Sequence, residues 1–318
     1  MKKITIRIFA ALFVLCLLPQ SVWAQQLLIP GGQLIGLELQ DDTVTVAAFE
    51  AGAEDMGLEV GDTILSVNGT PVHNAGQVRQ ALAKTDGTAR LLVLRDGKTK
   101  KLTLTPRITD QGPRLGVYLK QGVSGVGTVT WYDPQDRSFG ALGHGVSTPS
   151  GALLEMVRGS VYPASVRTVR KGLAGQPGQL LGQLSGNVAE GVLTKNTVQG
   201  VFGKLDRPIP GQELPVGDSA QIRTGPATIR STVTQGPVQE YSVEILRIYP
   251  SAPAAGRNML LRITDPALLS LTGGIVQGMS GSPIIQDGKL VGAVTHVLVN
   301  DPTTGYGIFI ENMLDAAA

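Results

Sequence analysis

From residue 115 onward the chain is written in short apolar runs, "GVGTVTWYD", "GNVAEGVLT", "SAQIRTG", "YSVEILRIYP", "NMLLRITD", "LVGAVTHVLV" and "GYGIFI", separated by Gly, Pro, Asn or Asp. Runs of this length with turn residues at both ends are strands. Amphipathic helical patterns are scarce here, and only Leu153 to Val157 reads as a short helical turn. The spacing predicts a mostly β protein with a β-barrel or double-barrel architecture, not an alternation of strands and helices. Gly (41) and Pro (19) make up 60 of the 318 residues, below the roughly 25–30% at which such content signals disorder. The expectation is a folded, turn-rich chain with room for about two domains.

Between residues 25 and 106 the period is mostly two, with one helical interruption. "TVTVAAF" (43–49) and "DTILSVNGTPV" (62–72) read as strands, and Asn68-Gly69 is a hairpin turn. "NAGQVRQALAK" (74–84) reads as a helix capped by Asn74, with Val78, Ala81 and Leu82 on one face. Two more strands meet at Asp96-Gly97. The polar, Gly/Pro-bearing stretch Arg107 to Arg114 is the natural joint. The division expected is therefore 1–24, 25–106 and 107–318.

Residues 1–24 carry Lys2, Lys3 and Arg7 ahead of the apolar run Ile8 to Leu18, with small-residue spacing at Val22 and Ala24. This is the pattern of an export signal, either cleaved after Ala24 or kept as a membrane anchor. The single cysteine, Cys16, lies in that run behind Leu15, which is too large for a lipoprotein cleavage site. The remaining chain has no thiol, which excludes disulfides, cysteine catalysis and thiolate metal sites. Three scattered histidines without His-x-x-x-His spacing offer no metal-ligand set, so neither metal nor cofactor is expected. Removing residues 1–24 takes the formal charge of +2 to near −1, which gives no reason to expect nucleic acid as a partner.

Chemistry then falls to oxygen and imidazole. His144 sits in "FGALGHGVSTPSG" (139–151) with glycine on either side, and histidine suits proton transfer near neutral pH. Ser280 sits in "GMSGSP" (278–283), where a glycine-flanked turn can expose a hydroxyl and aim the amides of Gly278 and Ser280 at one point, as an oxyanion hole requires. That run resembles the Gly-x-Ser-Gly-Gly-Pro signature of chymotrypsin-like peptidases, with Ser282 in place of the second glycine. Ser282 is the rival nucleophile. Asp265 in "ITDPALLSL" follows His144 and precedes Ser280, the chymotrypsin order, and equally suits an N-cap ahead of Pro266. Asp133, Asp136, Asp218 and Asp301 are weaker alternatives. His296 reads as structural or as lining the substrate cleft.

Two family resemblances follow. The order of elements in 25–106, with "GLEVGDTILSVNGTPV" (57–72), resembles PDZ domains of the bacterial protease-associated kind, and Leu34-Ile35-Gly36-Leu37 stands where such domains carry their carboxylate-binding loop. A loop of exposed N–H groups beside a sheet edge holds the C-terminus of a peptide that adds as a strand, so peptide C-termini are the partners this implies. Gly36 would permit the close approach, and His73 is a possible groove residue. Further on, "GTVTWYDPQDRSFGALGHGV" (127–146) and "LRITDPALLSLTGGIVQGMSGSPIIQDGKLVGAVTHVLVNDPTTGYGIFIENML" (261–314), with "PGGQLIGLEL" (30–39), resemble the stage IV sporulation protein B peptidases of endospore-forming bacteria.

That resemblance implies a PDZ domain joined to a chymotrypsin-like double-barrel serine peptidase domain. Its nucleophile would be Ser280, its base His144 and its third member Asp265. It also implies self-processing, a location between the two membranes around the forespore, and cleavage of a regulatory membrane protein in a pathway that activates a sigma factor. The short stretch between Leu18 and Pro30 leaves little room for a self-cleavage region. The competing expectation is a non-catalytic scaffold whose barrel and PDZ domain hold peptides. The oligomeric state is open.

Overall fold

Strand β2 (Leu34–Gln40) is buried on both faces along most of its length, and β1 (Leu27–Pro30) precedes it. A strand of this kind belongs in the middle of a sheet. The computed structural model describes residues 26–51, 56–148, 151–251 and 256–318, so the expected export segment lies outside the described residues. After β2 the chain leaves for a small unit made of β3 (Thr45–Phe49), β4 (Thr63–Val67), β5 (Thr70–Pro71), helix α1 (Ala75–Ala83), β6 (Ala89–Arg95), β7 (Lys98–Leu104), β8 (Arg107–Thr109), β9 (Gly112–Arg114) and β10 (Val117–Lys120). Its main sheet runs β10-β3-β4-β6-β7. Asn74 caps α1 by accepting from the Gln77 amide at 2.9 Å, and Val78, Ala81 and Leu82 bury its apolar face against Val46, Ile64, Leu91 and Val93. Asp62, itself buried, receives both ends of the Arg95 guanidinium at 2.7 Å, the bidentate geometry that makes such pairs strong.

The chain returns through β11 (Val123–Tyr132), β12 (Ser138–Ala141), β13 (Arg158–Arg170), β14 (Gln179–Leu184), β15 (Gly191–Thr197), β16 (Gly200–Leu205) and β17 (Leu214–Pro215). Pairings β11–β12, β12–β16, β16–β15, β15–β13, β13–β2 and β2–β11 close a ring. Phe139, Tyr132, Leu39 and Val161 fill it. A second closed barrel takes β18 (Gly225–Ser231), β19 (Gln239–Ile248), β20 (Met259–Ile263), β21 (Pro283–Gln286), β22 (Lys289–Leu298) and β23 (Asp301–Phe309) in the order β18-β19-β20-β23-β22-β21. Helix α2 (Pro266–Thr272) sits between β20 and β21, and α3 (Ile310–Ala317) closes the chain. Met313 and Ile310 of α3 pack with Trp131 and Phe202 of the first barrel and Leu290 and Ile308 of the second, so the last helix straps the two barrels together.

The double barrel matches the expected architecture, but the division of the chain differs from 25–106 and 107–318. Residues 27–40 belong to the first barrel, and the PDZ-like unit is an insertion between β2 and β11, whose ends meet at the Val123–Leu39 pair. The expected carboxylate loop Leu34-Ile35-Gly36-Leu37 is therefore a core strand, held by β11 on one edge and β13 on the other. Alternation reports that a segment is a strand and says nothing of which sheet receives it. The partners here lie more than 80 residues away in sequence. Leu153 to Val157 forms no helix either, and Leu153 bridges to Ser147.

Ile35 tests this placement. Ile35→Ala is expected to cost about 2–5 kcal/mol in denaturant unfolding, as for a truncated core residue. A loss of peptide binding with unchanged stability would contradict it.

Candidate active site

The loop before β21 is tied into both barrels. Met279 is fully buried in the second barrel's core. From the first barrel, Thr128 Oγ donates to the Gly278 carbonyl at 2.8 Å, Thr130 Oγ donates to the Gly281 carbonyl at 2.8 Å, and the Thr128 amide donates to the Ser280 carbonyl at 3.1 Å. The Gly281 amide donates to Val294 at 2.7 Å. Gly278 and Gly281 hold φ of 100° and 95°, in the region that favours glycine. A Cβ on Gly281 would collide with the Thr128 carbonyl. After the loop, Asp287 and Gly288 both adopt positive φ, the turn that lets β21 fold back on β22.

This loop turns Ser280 toward a pocket of about 350 Å³ that His144 also lines. His144 reaches it because Leu142 and Gly143 both adopt positive φ, 70° and 68°, directly after β12. Its Nδ1 lies 2.9 Å from the Gly145 carbonyl. A carbonyl only accepts, so Nδ1 carries the hydrogen and Nε2 keeps its lone pair. Burial holds the His144 imidazole below the usual histidine range, partly offset by that carbonyl. Asn196 secures the following segment, with its Nδ2 donating to the Val146 and Leu154 carbonyls at 2.8 and 2.9 Å and its Oδ1 accepting from the Val146 amide at 2.9 Å. Sequence reasoning missed Asn196, since a polar residue in a strand 50 positions from the loop it clamps carries no local signal.

His296 lies beside His144, with ring centroids 5.3 Å apart. Its basicity is pushed down to about 4, by burial first, then by His144 and Arg257. The Ser280 hydroxyl donates to the Thr295 carbonyl at 2.8 Å. Among the described residues the amides of Gly278 and Ser280 make no hydrogen bond. Ser282 is fully buried and donates to Ser231 Oγ at 3.1 Å, which turns it away from the pocket.

Among the described residues no hydrogen bond joins Asp265 to His144. Its carboxylate caps α2, accepting from the Leu268 amide at 3.0 Å and the Ser242 amide at 3.3 Å. Asp133 and Asp136 serve the turn before β12, Asp218 caps a short turn, and Asp301 holds Thr303 and Thr304. His73 stands in the PDZ-like unit, paired with Asp42 at 2.9 Å. That unit has its own cleft of about 220 Å³ between α1 and β10, lined by Ala75, Val78, Arg79, Arg114, Leu115 and Tyr118. The "RLGVYL" stretch (114–119) supplies the edge strand there. That stretch, rather than "LIGL", is the local sequence signal for this cleft.

Two six-stranded barrels meeting at a glycine-flanked serine and a histidine, with a PDZ domain inserted in the first, define the class of double-barrel serine peptidases. The chain belongs to the SpoIVB peptidase S55 family, whose profile matches residues 111–314, and a PDZ domain profile matches residues 50–96. It is 33% identical over 123 residues to a Pseudomonas fluorescens protein named "Probable periplasmic serine endoprotease DegP-like", covering 36% of this chain and 24% of that one. It is 32% identical over 92 residues to a protein of Mesorhizobium japonicum described as a zinc metalloprotease, covering 29% and 25%. The chain thus spans about a quarter of the length of these relatives, which differ from each other in chemistry. Among solved structures, the active form of the Rv3671c protease from M. tuberculosis aligns at 15% identity and a TM-score of 0.38, over 62% of this chain and 75% of that one.

Asparagine caps a helix about as well as aspartate. Asp265→Asn is therefore expected to keep both stability and proteolysis, while Asp265→Ala loses about 1 kcal/mol of stability. A fall in kcat of about 10⁴ in Asp265→Asn, the size seen when a triad aspartate is neutralised, would make Asp265 catalytic.

Proposed function

We propose that the chain is an exported serine endopeptidase with Ser280 as nucleophile and His144 as general base. The observation that carries the reading is the meeting of Ser280 and His144 in one pocket, beside two unbonded amides. The hydroxyl leaves the Thr295 carbonyl by rotating about its Cα–Cβ bond and donates to His144 Nε2. As Ser280 Oγ attacks the substrate carbonyl carbon, Nε2 takes its proton and the amides of Gly278 and Ser280 receive the oxyanion. The imidazolium then gives that proton to the leaving amine, and water clears the acyl-enzyme by the same route. The Gly145 carbonyl does what an orienting group must, fixing the tautomer. The family resemblance alone would make Asp265 the third member. Its carboxylate is committed to the Leu268 and Ser242 amides, so the reading assigns it the helix cap and gives the orienting role to the Gly145 carbonyl.

The family supports finer readings: self-processing, action in the space between the forespore membranes, and cleavage of a regulatory membrane protein so that a sigma factor is activated. The periplasmic naming of the Pseudomonas relative supports export. The PDZ domain takes peptide C-termini, in the cleft between α1 and β10, where edge-strand addition is available. The scaffold reading has one observation in its favour, the bond that holds Ser280 to Thr295 instead of His144.

A fluorophosphonate separates the two. It is expected to label Ser280 in the purified protein, with Ser280→Ala losing both label and proteolysis and Ser282→Ala affected less. An unlabelled protein under all activating conditions would support the scaffold, and equal losses in both variants would overturn the assignment of Ser280. The acid limb of kcat/KM is expected below 6.5, because burial keeps His144 neutral as pH falls through the ordinary histidine value. A limb at or above 6.5 would place the base elsewhere.

A further inference from the structure

The pocket at Ser280 has a composition that the chemistry alone does not require. Leu37 and Leu39 of β2, Val126 of β11, Leu142 and Val146 form its walls, and among the described residues no acidic or basic side chain other than His144 lines it. A charged substrate group entering such a space loses its water and finds no counter-charge. An apolar group finds contact on several sides.

The position of the pocket relative to the reacting groups fixes which substrate residue enters it. His144 must return its proton to the leaving amine, so the residue on the amine side of the scissile bond lies against His144. From His144 the lining runs on through Gly145, Val146 and Ser147, so a side chain lying against His144 meets this wall.

We propose, resting on the peptidase reading above, that this pocket selects substrates with an aliphatic or aromatic residue directly after the scissile bond, and that Gly125 sets the size accepted. Gly125 lies in β11 opposite Leu37, at the pocket's lining. A Cβ built there meets nothing within 4 Å, so a side chain at this position occupies open space without displacing neighbours. Gly125 has an ordinary strand backbone with no positive φ, and substitution there is compatible with the fold. β2 and β11, which carry Leu37, Leu39, Val123, Gly125 and Val126 of the lining, are also the strands that bracket the PDZ insertion. The specificity wall is thus built from the first barrel and the nucleophile from the second.

The test is cleavage-site profiling of a proteome-derived peptide library by mass spectrometry, using the purified protein, with fluorophosphonate labelling of the same sample. Leu, Ile, Val, Met and Phe are expected to be enriched directly after the scissile bond, and Asp, Glu, Lys and Arg depleted there by about tenfold or more, the discrimination an apolar pocket provides. Gly125→Val is expected to move that preference to Ala, Ser and Gly while leaving the preceding residue's preference unchanged, and Gly125→Ala to move it part of the way. A labelled, cleaving protein with no preference after the scissile bond overturns this inference alone. So does a Gly125→Val variant that alters only the residue before it. A protein that neither labels nor cleaves overturns the peptidase reading and this inference with it.

Discussion

Three hydrogen bonds from one strand hold the serine loop in place. Thr128 and Thr130, both fully buried, send their hydroxyls to the carbonyls of Gly278 and Gly281, and the Thr128 amide meets the carbonyl between them. Each such bond contributes only about 0.5–1.5 kcal/mol net. Their larger effect is on register: a buried carbonyl left without its donor costs about 1–3 kcal/mol, so the loop has one favourable seat on the first barrel. Gly281 makes that seat possible, because any side chain there would strike the Thr128 carbonyl. The carbonyls of 278, 280 and 281 are thus turned toward β11, while the amides of 278 and 280 make no hydrogen bond among the described residues.

The same strand ties the pocket of Ser280 and His144 to the PDZ domain. β10, the edge strand of the PDZ cleft, is followed after two residues by β11. The chain therefore runs from the edge of the PDZ cleft, past Gly125 and Val126 of the pocket wall, to Thr128 and the Ser280 loop. An insertion into a barrel hairpin carries two covalent connections to its host, where an appended domain carries one. The Val123–Leu39 pair closes the barrel directly beneath the insertion.

The double barrel was legible because short apolar runs between turn residues have few other solutions, and the Asn74 and Asp265-Pro266 helix starts were legible because caps are local. Ser280 and His144 stood out for the same kind of reason: His144 lies between two glycines and Ser280 in a loop that carries Gly278 and Gly281, and a reactive residue in such a setting needs explaining. The placement of "LIGL" was not legible. Burial on both faces of Leu34 to Leu37 depends on β11 and β13, and a β-rich neighbourhood in sequence made the PDZ domain the nearer guess. The order His, Asp, Ser likewise matched a triad, yet the Asp265 carboxylate is held by the helix it starts and by the Ser242 amide. Order along a chain constrains topology only; it does not measure distance. His296 was legible as a cleft residue but not as a neighbour of His144, and Asn196 was not legible as the clamp on Val146, because these contacts span 50 residues or more.

The central claim is geometric: one seat for the loop puts a hydroxyl, an imidazole and two amides around a single reacting carbon. A crystal structure of the phosphonylated protein measures it. The account predicts phosphorus on Ser280 Oγ, the phosphonyl oxygen about 2.7–3.1 Å from the amides of Gly278 and Ser280, and His144 Nε2 within hydrogen-bond reach of the adduct. An adduct on Ser280 whose phosphonyl oxygen points away from both amides, with His144 Nε2 beyond hydrogen-bond reach of it, would contradict it.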